Sequence, residues 1–184
     1  MYFKKCVIKR MIKSNKYLKK LTLENYIREQ KHYLLTSRFS NDTWEQNESY
    51  RKERNITCIY SSPDPISQHI PLDSIMFILE MNNDNNKIMG IGMVRNRAHV
   101  NRHFVYTNGN YNRYNFVGRN RIDRDEMNEE EENVMKAFDI LCFTGNKHMK
   151  RGQGLKSFPT EMLFNCSKKL DLVDFIKKMF KCRI

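Results

Sequence analysis

IMFILEMNNDNNKIMGIGMV, residues 75–94, decides the fold. Ile75 to Met81 is an apolar run of strand length, and Asn82 to Asn86 is rich in residues that tolerate left-handed backbone. Lys87 to Val94 is a second apolar run, so the stretch predicts a β-hairpin. Gly90 and Gly92 are two apart, on one face of the return strand, where glycine weakens a strand unless something approaches closely. A ligand base or a packed helix is the expected occupant, and both glycines are assigned with Trp44 to a pocket.

Outward from this hairpin, strands and helices mix. Ile56 to Tyr60 reads as a strand, stopped by Ser61-Ser62-Pro63-Asp64-Pro65. A second hairpin is expected, with His103–Thr107 paired to Tyr114–Val117 around Asn108-Gly109-Asn110. Across residues 1–35, apolar positions three and four apart among lysines predict helices, with a break near Lys20 and Thr22 capping the second. Residues 36–56 are polar, include Trp44, and read as a loop or short helix. The acidic run Asp125–Glu132 opens a helix of about 10 residues from Glu129, because carboxylates favour the positive helix N-terminus. Thr160 caps a short helix, and Leu170 to Phe180 forms an amphipathic one. The sum is an α+β chain. Residues 1–55 form a basic helical extension, and residues 56–184 a small mixed or antiparallel β-barrel with a C-terminal helix.

Chemistry concentrates in RNRAHVNRHFVYTNGNYNRYNFVGRNRIDR, residues 95–124, where seven arginines and five aromatics surround Asp123 as the only acid. Arginine presents a fixed fork of donors to phosphate, and an aromatic face accepts a stacked base. Arg113, Arg119, Arg121 and Arg124 are expected on phosphates, with Arg95 and Arg97 on the same nucleic-acid-binding surface. Lys150 and Arg151 join them from the glycine-rich FTGNKHMKRGQG (143–154), a plausible anion nest. Tyr106, Tyr111 and Tyr114 are expected on bases. The plainer alternative is a hairpin whose aromatics fill a core and whose arginines keep it soluble.

The whole chain agrees with a polyanionic partner. Its 184 residues carry a net charge of +12, and residues 1–38 hold eleven Lys/Arg against Glu24 and Glu29. That basic N-terminus also suits an acidic protein partner or an anionic membrane surface. No apolar run approaches the roughly 20 residues that span a bilayer. Five scattered cysteines without a C-x-x-C pair point to a reducing compartment, cytoplasmic or nuclear, and away from disulfides and zinc.

Signatures of catalysis are poor. The five histidines show no metal-binding spacing, and no cofactor motif is found. Asp73, Glu80 and Lys87 invite a Mg²⁺-dependent nuclease reading, but Glu80-Met81-Asn82 lacks the lysine two residues after the acid. The favoured function is non-enzymatic binding of nucleic acid, RNA or single strands preferred. A structural virion or assembly protein that binds packaged genome or an acidic partner comes second, and the nuclease third.

The stretch IMFILEMNNDNNKIMGIGMV also resembles the central hairpin of PUA-like β-barrels, the group of EVE, ASCH and YTH-type domains. Ile140-Leu141-Cys142-Phe143 and Leu155-Lys156-Ser157-Phe158-Pro159-Thr160 resemble the later segments that close such domains. The resemblance covers roughly residues 56–165 and implies recognition of RNA, or of a modified base flipped into a pocket. YTH-type readers build an aromatic cage with more than one tryptophan. This chain has Trp44 alone, ahead of the hairpin, so the base stays open. NGNYNRY, GRNRIDR and KHMKRGQG are similar to stretches in uncharacterised proteins of large nucleocytoplasmic DNA viruses. That similarity implies a virion or the infected host cytoplasm as the location.

Overall fold

A computed structural model describes residues 22–146 and 148–184, so the helices expected over residues 1–21 lie outside them. Residues 22–29 are helical (α1). Then follow β1 (His32–Phe39), α2 (Asn41–Arg54), β2 (Cys58–Ser62), β3 (Ile75–Asn82), β4 (Lys87–Arg95) and β5 (His99–Val100). The second half holds β6 (Tyr114–Gly118), β7 (Asn120–Asp123), α3 (Glu129–Phe143), β8 (Lys156–Ser157), α4 (Thr160–Ser167) and α5 (Leu172–Lys181). The class is α+β, but among the described residues the strands form two sheets and no closed barrel. One sheet runs β7-β4-β3-β1-β8 and the other β2-β6-β5.

The predicted hairpin is the centre of the larger sheet. β3 and β4 pair antiparallel, with Ile78 opposite Gly92, and Asn82 Oδ1 accepts from the backbone N–H groups of Asp84 and Asn85 to fold the turn. β3 is apolar on both faces from Ile75 to Leu79, because both faces are covered, and Glu80 interrupts the run. Phe77, Leu79 and Met81 belong to the core beneath the helices, with Phe138 of α3 and Ile176 and Phe180 of α5. Met76 and Ile78 face the smaller sheet and pack with Tyr60 and Phe116.

β1 corrects the reading most. The helix expected up to residue 35 ends near residue 29, and His32–Phe39 is instead a strand lying between β3 and β8. It runs parallel to β3 from His32↔Ile75 to Phe39↔Asn82. The boundary drawn at residue 55 therefore falls inside one packed unit: Leu34 joins the helix-side core and Leu35 the other. Residues 41–54 form a full helix, begun by Ser40 and Thr43, which cap each other's backbone N–H groups.

The second expected hairpin is also replaced. Between β4 and β6 only His99 and Val100 pair with β6, whose other edge pairs with β2, and residues 101–113 form a loop containing a short 3-10 turn. Buried Asn112 substitutes for the ladder, its side chain accepting from the N–H groups of Val105 and Tyr106 at 2.9 Å and donating to the Tyr106 carbonyl at 2.6 Å. α3 begins at Glu129 as expected but runs to Phe143, and Pro159 rather than Thr160 occupies the cap position of α4.

Candidate nucleic-acid interface

At the C-terminal end of β1 the chain builds a cavity of about 220 Å³. Arg38 and Phe39 reach it from β1, Ser40 and Thr43 from the start of α2, and Asn83 from the β3–β4 turn. Tyr106 and Tyr111 come from the 101–113 loop, and residues 152–154 close the remaining side. The two tyrosine rings meet edge to face at 6.3 Å. Asn47, buried within α2, donates both to the Ile59 carbonyl and to the Tyr106 hydroxyl, which fixes that ring.

Two polar atoms on this cavity are unfulfilled. Arg38 Nε donates to the Met149 carbonyl, but its Nη1 is buried with no hydrogen-bond partner among the described residues. Asn83 Nδ2 donates to the Lys150 carbonyl at 3.2 Å, and its Oδ1 is buried and likewise without a partner. Burial lowers the Arg38 pKa from its ordinary value, against a smaller opposing effect of Cys142. A buried polar group without a partner costs about 1–3 kcal/mol. One unpaired donor and one unpaired acceptor are therefore buried within residues that line a small chamber with aromatic walls, while Arg151, next to the lining Gly152, is exposed.

A second, larger depression of about 550 Å³ opens between the sheets near the start of β3. Arg95, Arg97, His99 and Arg119 line it, over Ile75, Met93 and Val117. Arg97 is paired with Asp73 at 2.9 Å, and Arg95 donates to the Asp73 carbonyl. Arg119 is exposed, with no ion pair among the described residues. Arg113 lies over the Tyr114 ring at 5.6 Å, outside both depressions.

Two arginines expected on phosphates are instead internal. The Arg121 side chain is 6 % exposed and grips Glu80, itself 3 % exposed, through Nε at 2.9 Å and Nη2 at 2.8 Å. Its Nη1 pairs with Asp123. Arg124 is buried against Glu132 and Asp139 at 2.8 Å and donates to the Ile88 carbonyl, tying α3 to β4. Neither can reach a phosphate without breaking these pairs.

The proposed grouping of Trp44, Gly90 and Gly92 also needs correction. Both glycines face a buried ionic cluster, which is neither a base nor a helix. The Cβ of a residue at 90 would stand 2.7 Å from the Ile122 carbonyl and 2.8 Å from Glu80 Oε2. At 92 it would overlap the Tyr60 ring. Tyr60 donates its hydroxyl to Glu80 Oε1 at 2.6 Å, and burial, with the charge of Glu80, pushes its pKa well above the ordinary value. Trp44 covers this cluster from outside. Its ring is 5.2 Å from Phe39, edge to face, with the Arg121 guanidinium over it at 5.7 Å and that of Arg51 at 5.9 Å.

Among the residues suggested for a nuclease, Glu80 is held by Tyr60 and Arg121, and Asp73 lies beyond the other end of β3, bonded to Arg97. Among the described residues no group of three or more His, Cys, Asp or Glu side chains could hold a metal ion. None of the helices among them is long and apolar enough to cross a membrane.

The structure thus joins Tyr106 and Tyr111 to residues 152–154, just after Lys150 and Arg151, at one site, and Arg95, Arg97 and Arg119 at another. Arg38 and Asn83 were not anticipated. The available signal was an arginine between Leu34-Leu35 and Phe39 in a stretch with Thr36 and Ser37, which a helical reading conceals. No known protein family, curated protein or solved structure matches this chain.

Proposed function

We propose that this protein binds single-stranded nucleic acid without catalysis, seating an unstacked base in the Arg38–Asn83–Tyr111 cavity and phosphates on Lys150 and Arg151. The observation that carries the reading is the unpaired Arg38 Nη1 and Asn83 Oδ1, both buried on a chamber walled by two tyrosines. The edge of a nucleobase offers acceptors and donors side by side, and its face stacks on tyrosine at about 1–3 kcal/mol per base. An apolar ligand would leave both atoms unsatisfied. The resemblance of residues 75–94 to PUA-like domains supports the same reading, and RNA is the preferred strand.

The test is fluorescence anisotropy of a labelled single-stranded RNA at two salt concentrations. Affinity is expected to fall steeply with salt. Tyr111→Ala should weaken binding by roughly 5- to 150-fold, the equivalent of one lost stack. Arg38→Met should weaken it for some bases more than others. No binding, or affinity indifferent to salt and to both substitutions, overturns the reading. Nucleoside analysis of co-purifying nucleic acid would then name the base.

A further inference from the structure

The basic depression between the sheets is separate from the base cavity, and the register of the sheet sets the distance between them. His32 pairs with Ile75 at the depression, and Phe39 pairs with Asn82 beside the cavity. β3 is eight residues long, so the two sites lie at opposite ends of a strand spanning about 25 Å at roughly 3.3 Å per residue. No carboxylate lines the depression among the described residues. Its walls are Arg95, Arg97, Arg119 and His99, and its floor is the apolar Ile75, Met93 and Val117. Asp73 neutralises Arg97 at 2.9 Å, which leaves the charge on Arg119 and Arg95 for a ligand. His99 Nδ1 is buried there with no hydrogen-bond partner among the described residues. Cations above an apolar floor suit a phosphodiester strand whose sugars and bases rest on the floor.

We infer that this depression is a second contact for nucleic acid, and that one copy of the protein holds two strand segments at once. The inference rests on the cavity reading for its first segment. Its consequence is bridging: two strands, or two distant parts of one strand, are brought together without a protein dimer.

Backbone-amide NMR separates the two sites. A single-stranded trinucleotide of uridine is too short to reach from one end of β3 to the other. It should shift the amides of Gly152 and Gly154 as one set, and those of Gly118, Arg119 and Asn120 as a second. Both Arg95 and Arg119 are exposed, so the double variant Arg95→Gln/Arg119→Gln should fold normally and lose only the second set. Arg38→Met should lose only the first. Capture of a free labelled 20-mer by an immobilised, non-complementary 20-mer reads the bridging itself, and the double variant should reduce it at least about tenfold, as expected when phosphate contacts are removed. A missing second set in the wild type, a second set that survives the double substitution, or bridging unchanged in that variant overturns the inference. Absence of the first set in the wild type, with the second present, overturns the cavity reading and leaves the depression as a binding site.

Discussion

Gly92 lies directly beneath the phenol of Tyr60, and the space its missing side chain leaves is the space that ring fills. Two glycines on one face of β4 thus admit a tyrosine and an ion pair into the interior. Gly92→Ala would force the ring away from Glu80 and overpack the interface between the sheets. It should cost about 1–3 kcal/mol, read as a lower urea midpoint. Gly90→Val should act likewise, against Ile122 and Glu80. Any loss of nucleic-acid binding in either variant should track unfolding.

Removing one partner of the Glu80–Arg121 pair leaves the other charge buried. Arg121→Ala is expected to lower stability by about 3–5 kcal/mol, as for other buried ion pairs broken on one side. Chemical denaturation followed by Trp44 fluorescence measures it directly, since the indole packs against that guanidinium. A loss below about 1 kcal/mol would mean that Arg121 behaves as a surface arginine.

Arginines of similar sequence context should separate in binding assays. Lys150→Gln and Arg151→Gln are expected to weaken binding to all sequences and to reduce the slope of log affinity against log salt by roughly 1 each. Arg124→Gln, within the α3–β4 contact, should lower stability and leave that slope unchanged in the folded fraction. Equal slopes for all three variants would refute the division.

Acid should destabilise the fold in two stages. Burial, with His99 and Arg102 nearby, lowers the His103 pKa below its ordinary 6.5. Hydrogen bonds from Arg183 lower Glu131, and those from Arg124 lower Glu132, below their ordinary 4.5. In each case the unfolded chain takes up its proton first as pH falls, so stability is full above the unfolded value and is lost below it. The urea midpoint should decline gently below about pH 6.5 and more steeply below about pH 4.5. Arg183→Met should blunt the steeper part. A midpoint that rises on acidification would contradict these assignments.

The parts of this fold that were legible in the sequence are those whose partners are close in the chain. The β3–β4 hairpin carries its own turn, and α3 carries its own acidic start and the Asn128 cap. β1 was hidden because HYLLTSRF is buried on both faces and follows a lysine-rich helical pattern, so its apolar residues extended that pattern. His103–Thr107 looked like a strand, but one asparagine seven residues from Val105 satisfies the backbone instead. The fate of Arg121 depended on Glu80, 41 residues away, and no local pattern distinguishes it from exposed Arg119. The tyrosine side of the cavity was readable from composition, whereas the Arg38–Asn83 side required the parallel pairing of β1 with β3.

That pairing also governs how the chain reaches its folded state. β1 is made before both of its sheet neighbours, β3, about forty residues later, and β8, whose Lys156 carbonyl accepts from Thr36 across 120 positions. Until β8 has left the ribosome, β1 has an unprotected edge and no local structure in which to hide Leu34 and Leu35. Such long-range closure makes folding slow and exposes intermediates to aggregation. Shortening the chain anywhere before β8 should therefore remove more than the helices α4 and α5, because it leaves the sheet open beside β1.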